Sequence, residues 1–125
     1  MPAKVGLSAS IEFVVAEADT AIAMRSGAVP VLATPVIIAR CEEAAIAAIA
    51  GHLAPNETTV GAKVRVDHLA PTAVGHRVRA EATVEKVAGR RITFTVSGHD
   101  ERGLVVVGRL TRVVVDVGRF MEKAN

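Results

Sequence analysis

The most strongly apolar stretch of the chain is residues 34–50, which are hydrophobic on nearly every side of a helix. Alanine recurs through this stretch and favours the helical state. Thr34 can cap the first free N–H groups, and Pro35 suits the first helical position, where its missing donor costs nothing. A helix that is apolar all round belongs in a protein interior. The pattern therefore predicts a buried central helix that ends near Gly51.

Alternating apolar and polar residues predict five strands around this helix, one before it and four after it. Residues 17–27 suggest a short additional helix, and residues 119–125 read as a short polar tail. Tight turns join the later strands, so the sheet is expected to be largely antiparallel. This order predicts a single α+β domain with the hot-dog fold, in which an antiparallel sheet of about five strands wraps around the buried helix. The strands are expected at residues 5–13, 58–69, 77–85, 92–97 and 104–117.

The phase of the second strand decides which of its side chains face the helix. Val60, Val64 and Val66 fall on one face, and His68 continues that series, whereas Gly61 falls on the opposite face. Since apolar side chains of a half-buried strand point to the core, His68 is expected to point toward the helix.

The last strand carries apolar residues on both of its faces, which is typical of a strand that is covered on both sides. A partner subunit would supply the second cover, and pairing of sheet edges or packing of helices between two copies would suit a homodimer.

Composition narrows the function classes. The formal charge of +2 and the scarcity of aromatic residues, 2% of the chain, argue against nucleic acid as a partner. One cysteine excludes an internal disulfide and fits a reducing compartment. The N-terminus shows no signal pattern, and charges break the apolar helix before it could span a bilayer. We expect a soluble, cytoplasmic protein without a membrane partner. No histidines are spaced as metal ligands, so no metal is expected.

Three residues are candidates for chemistry. Thr34 and Glu42 lie eight positions apart, on roughly one face of the helix, and His68 points toward that helix. A hydroxyl, a carboxylate and an imidazole at an apolar enclosure suit acid/base or nucleophilic catalysis. A core Glu–His pair with Thr34 serving only as a cap is the structural alternative.

Several segments resemble the hot-dog thioesterases of the fluoroacetyl-CoA thioesterase type: residues 31–35, Glu42, residues 61–68 and residues 75–100. The resemblance implies that Thr34, Glu42 and His68 are catalytic. It also implies that the backbone N–H of Gly61 helps to hold the thioester carbonyl. The substrate it implies is a small acyl-CoA, with CoA as part of the substrate and no other cofactor.

Other features of the chain depart from this family or stay open. Fluoroacetyl-CoA thioesterase closes its acyl pocket with phenylalanines before the catalytic threonine, whereas residues 25–29 here contain no aromatic residue. Cys41 is expected to be a small core residue. Six arginines are expected mostly on a solvated outer face, with a few meeting CoA phosphates: Arg77, Arg79, Arg90, Arg91, Arg109 and Arg112.

Two other functions fit a hot-dog domain, namely an enoyl-CoA hydratase or dehydratase, and a non-catalytic acyl-CoA binding module. Hydratases of this fold usually place both catalytic groups on one segment, but Glu42 and His68 belong to separate elements. The sequence leaves open the acyl group, the choice between CoA and a carrier protein, and whether Glu42 is a nucleophile or a general base.

Overall fold

The structure, a computed structural model, describes residues 2–125. Within this range the chain forms five strands and two α-helices in the order β1, α1, β2, β3, β4, β5, α2. Their bounds are β1 Ser8–Val14, α1 Thr34–Ala48, β2 Glu57–His68, β3 Arg77–Ala88, β4 Arg91–Asp100, β5 Gly103–Asp116 and α2 Val117–Ala124.

The five strands form one sheet in the order β1-β3-β4-β5-β2, and every neighbouring pair is antiparallel. The sheet curves around one side of α1, where Ile37, Cys41 and Ala44 are fully buried. Phe94 and Val84 of the sheet are buried in the same core. The predicted hot-dog fold, an antiparallel five-stranded sheet wrapped around a central helix, is confirmed.

The sheet does not cover the whole circumference of α1. Ile46 is 48% exposed, and Pro35, Ala39 and Ala47 are also exposed. Because a single five-stranded sheet reaches around only one side of a helix, the expected burial on all sides is wrong for the single chain. An apolar helix face is left open to solvent.

A bulge in β2 changes which of its side chains face α1. The register with β5 shifts between Gly61 and Lys63, so one extra residue is accommodated there. Thr59, which precedes the bulge, is buried, and His68, which follows it, is half-buried. The predicted phase is therefore wrong for Val60 and Gly61, since Gly61 faces the helix. It is correct for His68.

Two segments outside the sheet differ from the prediction. The short helix expected at residues 17–27 is a single 3-10 turn, Glu17–Asp19. It ends there because Thr20 is extended and bridges to Leu32, the residue that leads into α1. The expected polar tail is α2, whose first turn is capped by the Asp116 carboxylate accepting from the Arg119 N–H at 3.0 Å.

One edge of β2 pairs with β5, and its other edge has no strand beside it within residues 2–125. Gly108 of β5 lets the two strands lie close together, because a Cβ atom there would lie 2.1 Å from the carbonyl oxygen of Arg65 in β2. Neither helix of the described range is long and apolar enough to cross a membrane.

Candidate active site

The first residue of α1 and the last residue of β2 meet through their side chains. The Thr34 hydroxyl and His68 Nδ1 are 2.8 Å apart. Thr34 does not cap the helix as expected: Ala33 holds the N-cap position and makes no side-chain bond. Since Thr34 is already helical and its side chain points outward, its hydroxyl is available to the imidazole.

The imidazole of His68 is held in its neutral form and is incompletely bonded. Burial of the ring lowers the pKa of His68 below its usual 6.5, and the nearby backbone of Ala70 opposes this only in part. Nε2 is buried and has no hydrogen-bond partner among the described residues. Buried polar atoms nearly always have a partner, so this nitrogen is an exception among the described residues.

Thr34 and His68 border an open cleft of about 320 Å³. Its walls come from the segment that leads into α1 and from the residues that follow β2. The lining is mostly apolar and contains no aromatic side chain: Ala21, Ser26, Gly27, Val29, Val31, Leu32, Leu69, Ala70 and Pro71. A cleft of this composition can receive a small apolar group next to a hydroxyl and an imidazole.

Glu42 belongs to a second polar cluster, two turns further along α1. Its Oε2 accepts a hydrogen bond from a guanidinium nitrogen of Arg112 at 3.1 Å. Arg112 also donates to the hydroxyl of Thr59 at 3.0 Å and to the Thr59 carbonyl at 2.9 Å. The Arg112 side chain is 7% exposed and that of Glu42 is 32% exposed. A buried arginine therefore fixes a carboxylate that remains open to solvent.

Gly61 gives Glu42 its space. A Cβ atom at this position would lie 2.9 Å from Glu42 Oε2. Any larger residue would push the carboxylate aside, so the glycine and the carboxylate form one unit. Gly61 also pairs with Arg112 across the two strands.

The structure brings Thr34 together with His68, and Glu42 together with Gly61. The two pairs do not meet within one chain: Thr34 and Glu42 are separated by about 12 Å along the axis of an ideal helix. Glu42 is also not among the residues that line the cleft beside His68.

Arg112 was missed as a site residue, and its assignment to the outer face is wrong. It lies on the inward face of β5, where it pairs with Gly61 and binds Glu42. The sequence carried a signal: Leu110, Arg112 and Val114 alternate on one phase, and that phase faces the core. An arginine on the apolar phase of a strand requires a buried acceptor.

The remaining candidates lie apart from these clusters. Burial raises the pKa of the Cys41 thiol to about 11, and the charge of Glu42 adds to the shift. The thiol is therefore protonated at neutral pH and is a poor nucleophile. Within residues 2–125, no three His, Cys, Asp or Glu side chains are grouped closely enough to bind a metal ion.

The comparisons with known proteins agree on one family. A model of the fluoroacetyl-CoA-specific thioesterases matches residues 15–118. The fluoroacetyl-CoA thioesterase of Streptantibioticus cattleyicolor is 33% identical over 95 residues, which are 76% of this chain and 68% of that protein. The structure of the fluoroacetyl-CoA thioesterase FlK superposes with a TM-score of 0.94 at 28% identity, over 99% of this chain and 96% of FlK. An FlK variant in complex with acetyl-CoA superposes with a TM-score of 0.92 at 28% identity, over 98% and 96% of the two chains. The chain thus belongs to the fluoroacetyl-CoA-specific thioesterase family and is a thioester hydrolase.

Proposed function

We propose that this protein is an acyl-CoA thioesterase that hydrolyses a small acyl-CoA to the free acid and CoA. The observation that carries the proposal is the Thr34–His68 pair, which borders an apolar cleft. Membership of the family and the binding of acetyl-CoA by an FlK variant support the choice of substrate class.

Glu42 is the group that attacks in this proposal, directly or through water. As a general base it takes a proton from water, whose oxygen adds to the thioester carbonyl carbon. As a nucleophile it forms an anhydride that water then opens. In both routes the C–S bond breaks and the departing thiolate takes up a proton. The neutral imidazole of His68 takes that proton from the water consumed in the reaction, directly or by way of Glu42, and delivers it to the thiolate. The Thr34 hydroxyl orients the imidazole and the carbonyl.

The developing oxyanion needs donors that are in place before the reaction. The backbone N–H of Gly61 and the N-terminal end of α1, with its partial positive charge, serve this role in the proposal. Arg112 is a positioning residue: its hydrogen bond fixes the direction in which the Glu42 carboxylate points.

A homodimer unites the two clusters in this proposal. Antiparallel pairing of β2 with its own copy, centred between Val64 and Arg65, sets His68 of one copy opposite Gly61 of the other. Since Gly61 touches Glu42, each site would combine the carboxylate of one chain with the imidazole of the other. The free edge of β2 and the exposed apolar side chains of Ile46 and Val64, 48% and 45% exposed, support this assembly.

The acyl group is proposed to be small, without a preference for fluoroacetyl. The segment that leads into α1 presents Ser26, Gly27 and Val29 to the cleft. Within residues 2–125 no aromatic side chain lines the cleft, and this absence supports the proposal.

The test is thiol release from a panel of short acyl-CoAs, measured on the wild type and on the Glu42→Gln and His68→Ala variants. Each substitution should lower kcat by about a hundredfold or more, because it removes a proton-transfer group. Glu43→Gln is the matched control: this neighbouring carboxylate is exposed and pairs with Arg40, so turnover should be unchanged.

Near-normal thiol release by either active-site variant would refute these roles. Hydration of enoyl-CoA without thiol release would point to a hydratase instead. Binding of acyl-CoA with neither reaction would leave a binding module. Heavy-oxygen water and mass analysis of the enzyme after one turnover separate the nucleophile from the general base.

A further inference from the structure

The last residue of β4, Asp100, places a carboxylate on the inward phase of its strand, the phase on which Phe94 and Val96 are buried. The Asp100 side chain is only 5% exposed. A buried carboxylate is costly unless donors surround it, and those donors fix the direction in which it points. The partners of Asp100 connect the turn between β4 and β5 with the loop that follows β2.

The Asp100 carboxylate is held by donors from its own turn and from that loop. The N–H of Arg102 donates to Oδ1 at 2.8 Å, and the hydroxyl of Thr72 donates to Oδ2 at 2.9 Å. Burial acts to raise the pKa of Asp100, but these donors and the charge of Arg102 lower it below its usual range. At neutral pH the group is therefore ionised and only accepts hydrogen bonds, so the Thr72 hydroxyl is the donor.

Thr72 is completely buried and is bonded in two directions. Its hydroxyl donates to the β4–β5 turn, and its carbonyl accepts the N–H of Leu32 at 2.8 Å. The neighbouring residues Val31 and Ala73 form a bridge beside this bond. Leu32 lies two positions before Thr34. One buried side chain thus ties the turn to the segment that leads into Thr34.

The loop that contains Thr72 begins directly after His68, and residues 69–71 line the cleft beside the imidazole. The Pro71 carbonyl accepts from the guanidinium of Arg102 at 2.6 Å, so the same turn holds the loop at a second point. Groups that act together in catalysis must be placed to within about 0.5 Å. Since Thr34 follows the segment bonded to this loop and His68 precedes the loop, the distance between them depends on how the loop is attached.

We propose that Asp100 is a positioning residue for the thioesterase reaction: through Thr72, its carboxylate sets the distance between the Thr34 hydroxyl and the His68 imidazole. The inference rests on the proposed function, because it takes Thr34 and His68 as members of the reacting site. Neither Asp100 nor Thr72 is among the residues that line the cleft, so both act through the pair and not on the acyl group.

A double-mutant cycle on kcat for acetyl-CoA tests the proposal. Thr72→Val removes the hydroxyl with little change in volume and should lower kcat by about tenfold, because the pair is displaced. In a Thr34→Val background the hydroxyl to be positioned is already absent, so Thr72→Val should cause no further loss. Thr72→Ser restores the donor and should recover most of kcat. An equal fold-loss in both backgrounds would overturn the proposal, as would an unchanged kcat for Thr72→Val alone.

Two adjacent carboxylates on the turn provide a matched control. Asp100→Asn leaves one acceptor oxygen, which cannot serve both Arg102 and Thr72, so kcat should fall. Glu101 is exposed and binds His76 instead, so Glu101→Gln should keep the wild-type kcat. If Thr72→Val does not fold, Asp100→Asn replaces it in the cycle with the Thr34 variant. Equal kcat values for Asp100→Asn and Glu101→Gln would overturn the proposal.

NMR of the His68 ring reads the same geometry without turnover. Its signals should shift in Thr72→Val and in Thr34→Val but not in Glu101→Gln. If these shifts appear and no acyl-CoA is hydrolysed, the proposed function is wrong and the linkage from the turn to the Thr34–His68 pair stands. If acyl-CoA is hydrolysed while Thr72→Val matches the wild type in ring signals and kcat, the function stands and the positioning role is wrong.

Discussion

The two polar clusters along α1 differ in how complete they are within one chain. The Glu42 cluster has its partners: a buried arginine binds the carboxylate and is itself bound twice by Thr59. The His68 cluster borders an open cleft and has one hydrogen bond between side chains, that of His68 with Thr34. The first cluster is fully bonded within the chain, whereas the second contains a buried nitrogen without a partner among the described residues.

This difference fits the two roles proposed for Glu42 and His68. A carboxylate that must keep one direction benefits from a rigid, fully bonded support. A proton carrier benefits from an unfilled hydrogen-bonding position, since its partner changes during the reaction. The exposed side of α1 lies between the two clusters, so covering that side with a second copy would both bury Ile46 and join the clusters.

The largest expected effect comes from placing the Glu42 and His68 substitutions on different chains of one dimer. Glu42→Gln and His68→Ala chains are coexpressed with different tags, and the heterodimer is purified through both. One of its two sites then carries both substitutions and the other carries none. Activity should recover from near background to about half of the wild-type value. The measurement is the initial rate of thiol release per dimer.

The reciprocal heterodimer is the control. A Glu42→Gln/His68→Ala chain paired with a wild-type chain places one defect in each shared site, so it should be nearly inactive. If each site lies within one chain, the two results exchange: the first heterodimer stays inactive and the second keeps about half of the activity.

The sequence predicted the elements whose period is regular. The spacing of apolar residues within the helix and within each strand shows which side of that element is buried, and this spacing can be read from a short stretch of sequence. Thr34 and His68 were both predicted as site residues, because one begins the helix and the other continues the inward phase of β2, but their direct hydrogen bond was not predicted. Cys41 was also correctly expected in the core.

The features that the sequence did not predict depend on distant contacts. The bulge after Gly61 reverses the phase of β2, and its position is set by pairing with β5. Arg112 meets Glu42 across 70 positions of the chain, so no local window contains both. Helix α2 is short and polar, with Gly118 in its first turn, and it is nucleated by the Asp116 cap rather than by propensity.

An intermediate effect is expected from removing the support of the carboxylate. Arg112→Leu leaves Glu42 and Thr59 without their donor, so the free energy of unfolding should fall by about 1–3 kcal/mol. The carboxylate also loses its direction, and kcat should fall by about tenfold to a hundredfold. Urea denaturation and acetyl-CoA kinetics measure the two quantities.

Arg109→Leu is the matched control, three positions earlier on the outer face of β5. Arg109 forms an exposed pair with Glu85, and exposed ion pairs contribute little to stability, so its loss should leave the unfolding free energy and kcat nearly unchanged. Arg112→Lys keeps the charge without the forked donors and should recover only part of kcat. Equal kcat values for the Arg112→Leu and Arg109→Leu variants would show that Arg112 does not position Glu42.

The smallest expected effect is on the pH dependence of kcat/KM, and it follows from the His68 cluster. Burial disfavours the imidazolium form, so His68 should titrate below its usual 6.5 in the folded protein. NMR titration of the ring, assigned by the signal lost in His68→Gln, gives the midpoint. The acid limb of kcat/KM should share that midpoint, since the neutral ring carries the proposed proton transfer.

The same shift has a defined sign for stability. Between the folded and unfolded pKa values of His68, the unfolded chain binds more protons than the folded one. Stability should therefore fall as the pH drops through this window, and His68→Gln should remove that part of the dependence. A titration midpoint at or above 6.5 would mean that the ring is stabilised as imidazolium. The unpartnered nitrogen would then have an acidic partner in solution, and the contrast between the two clusters would disappear.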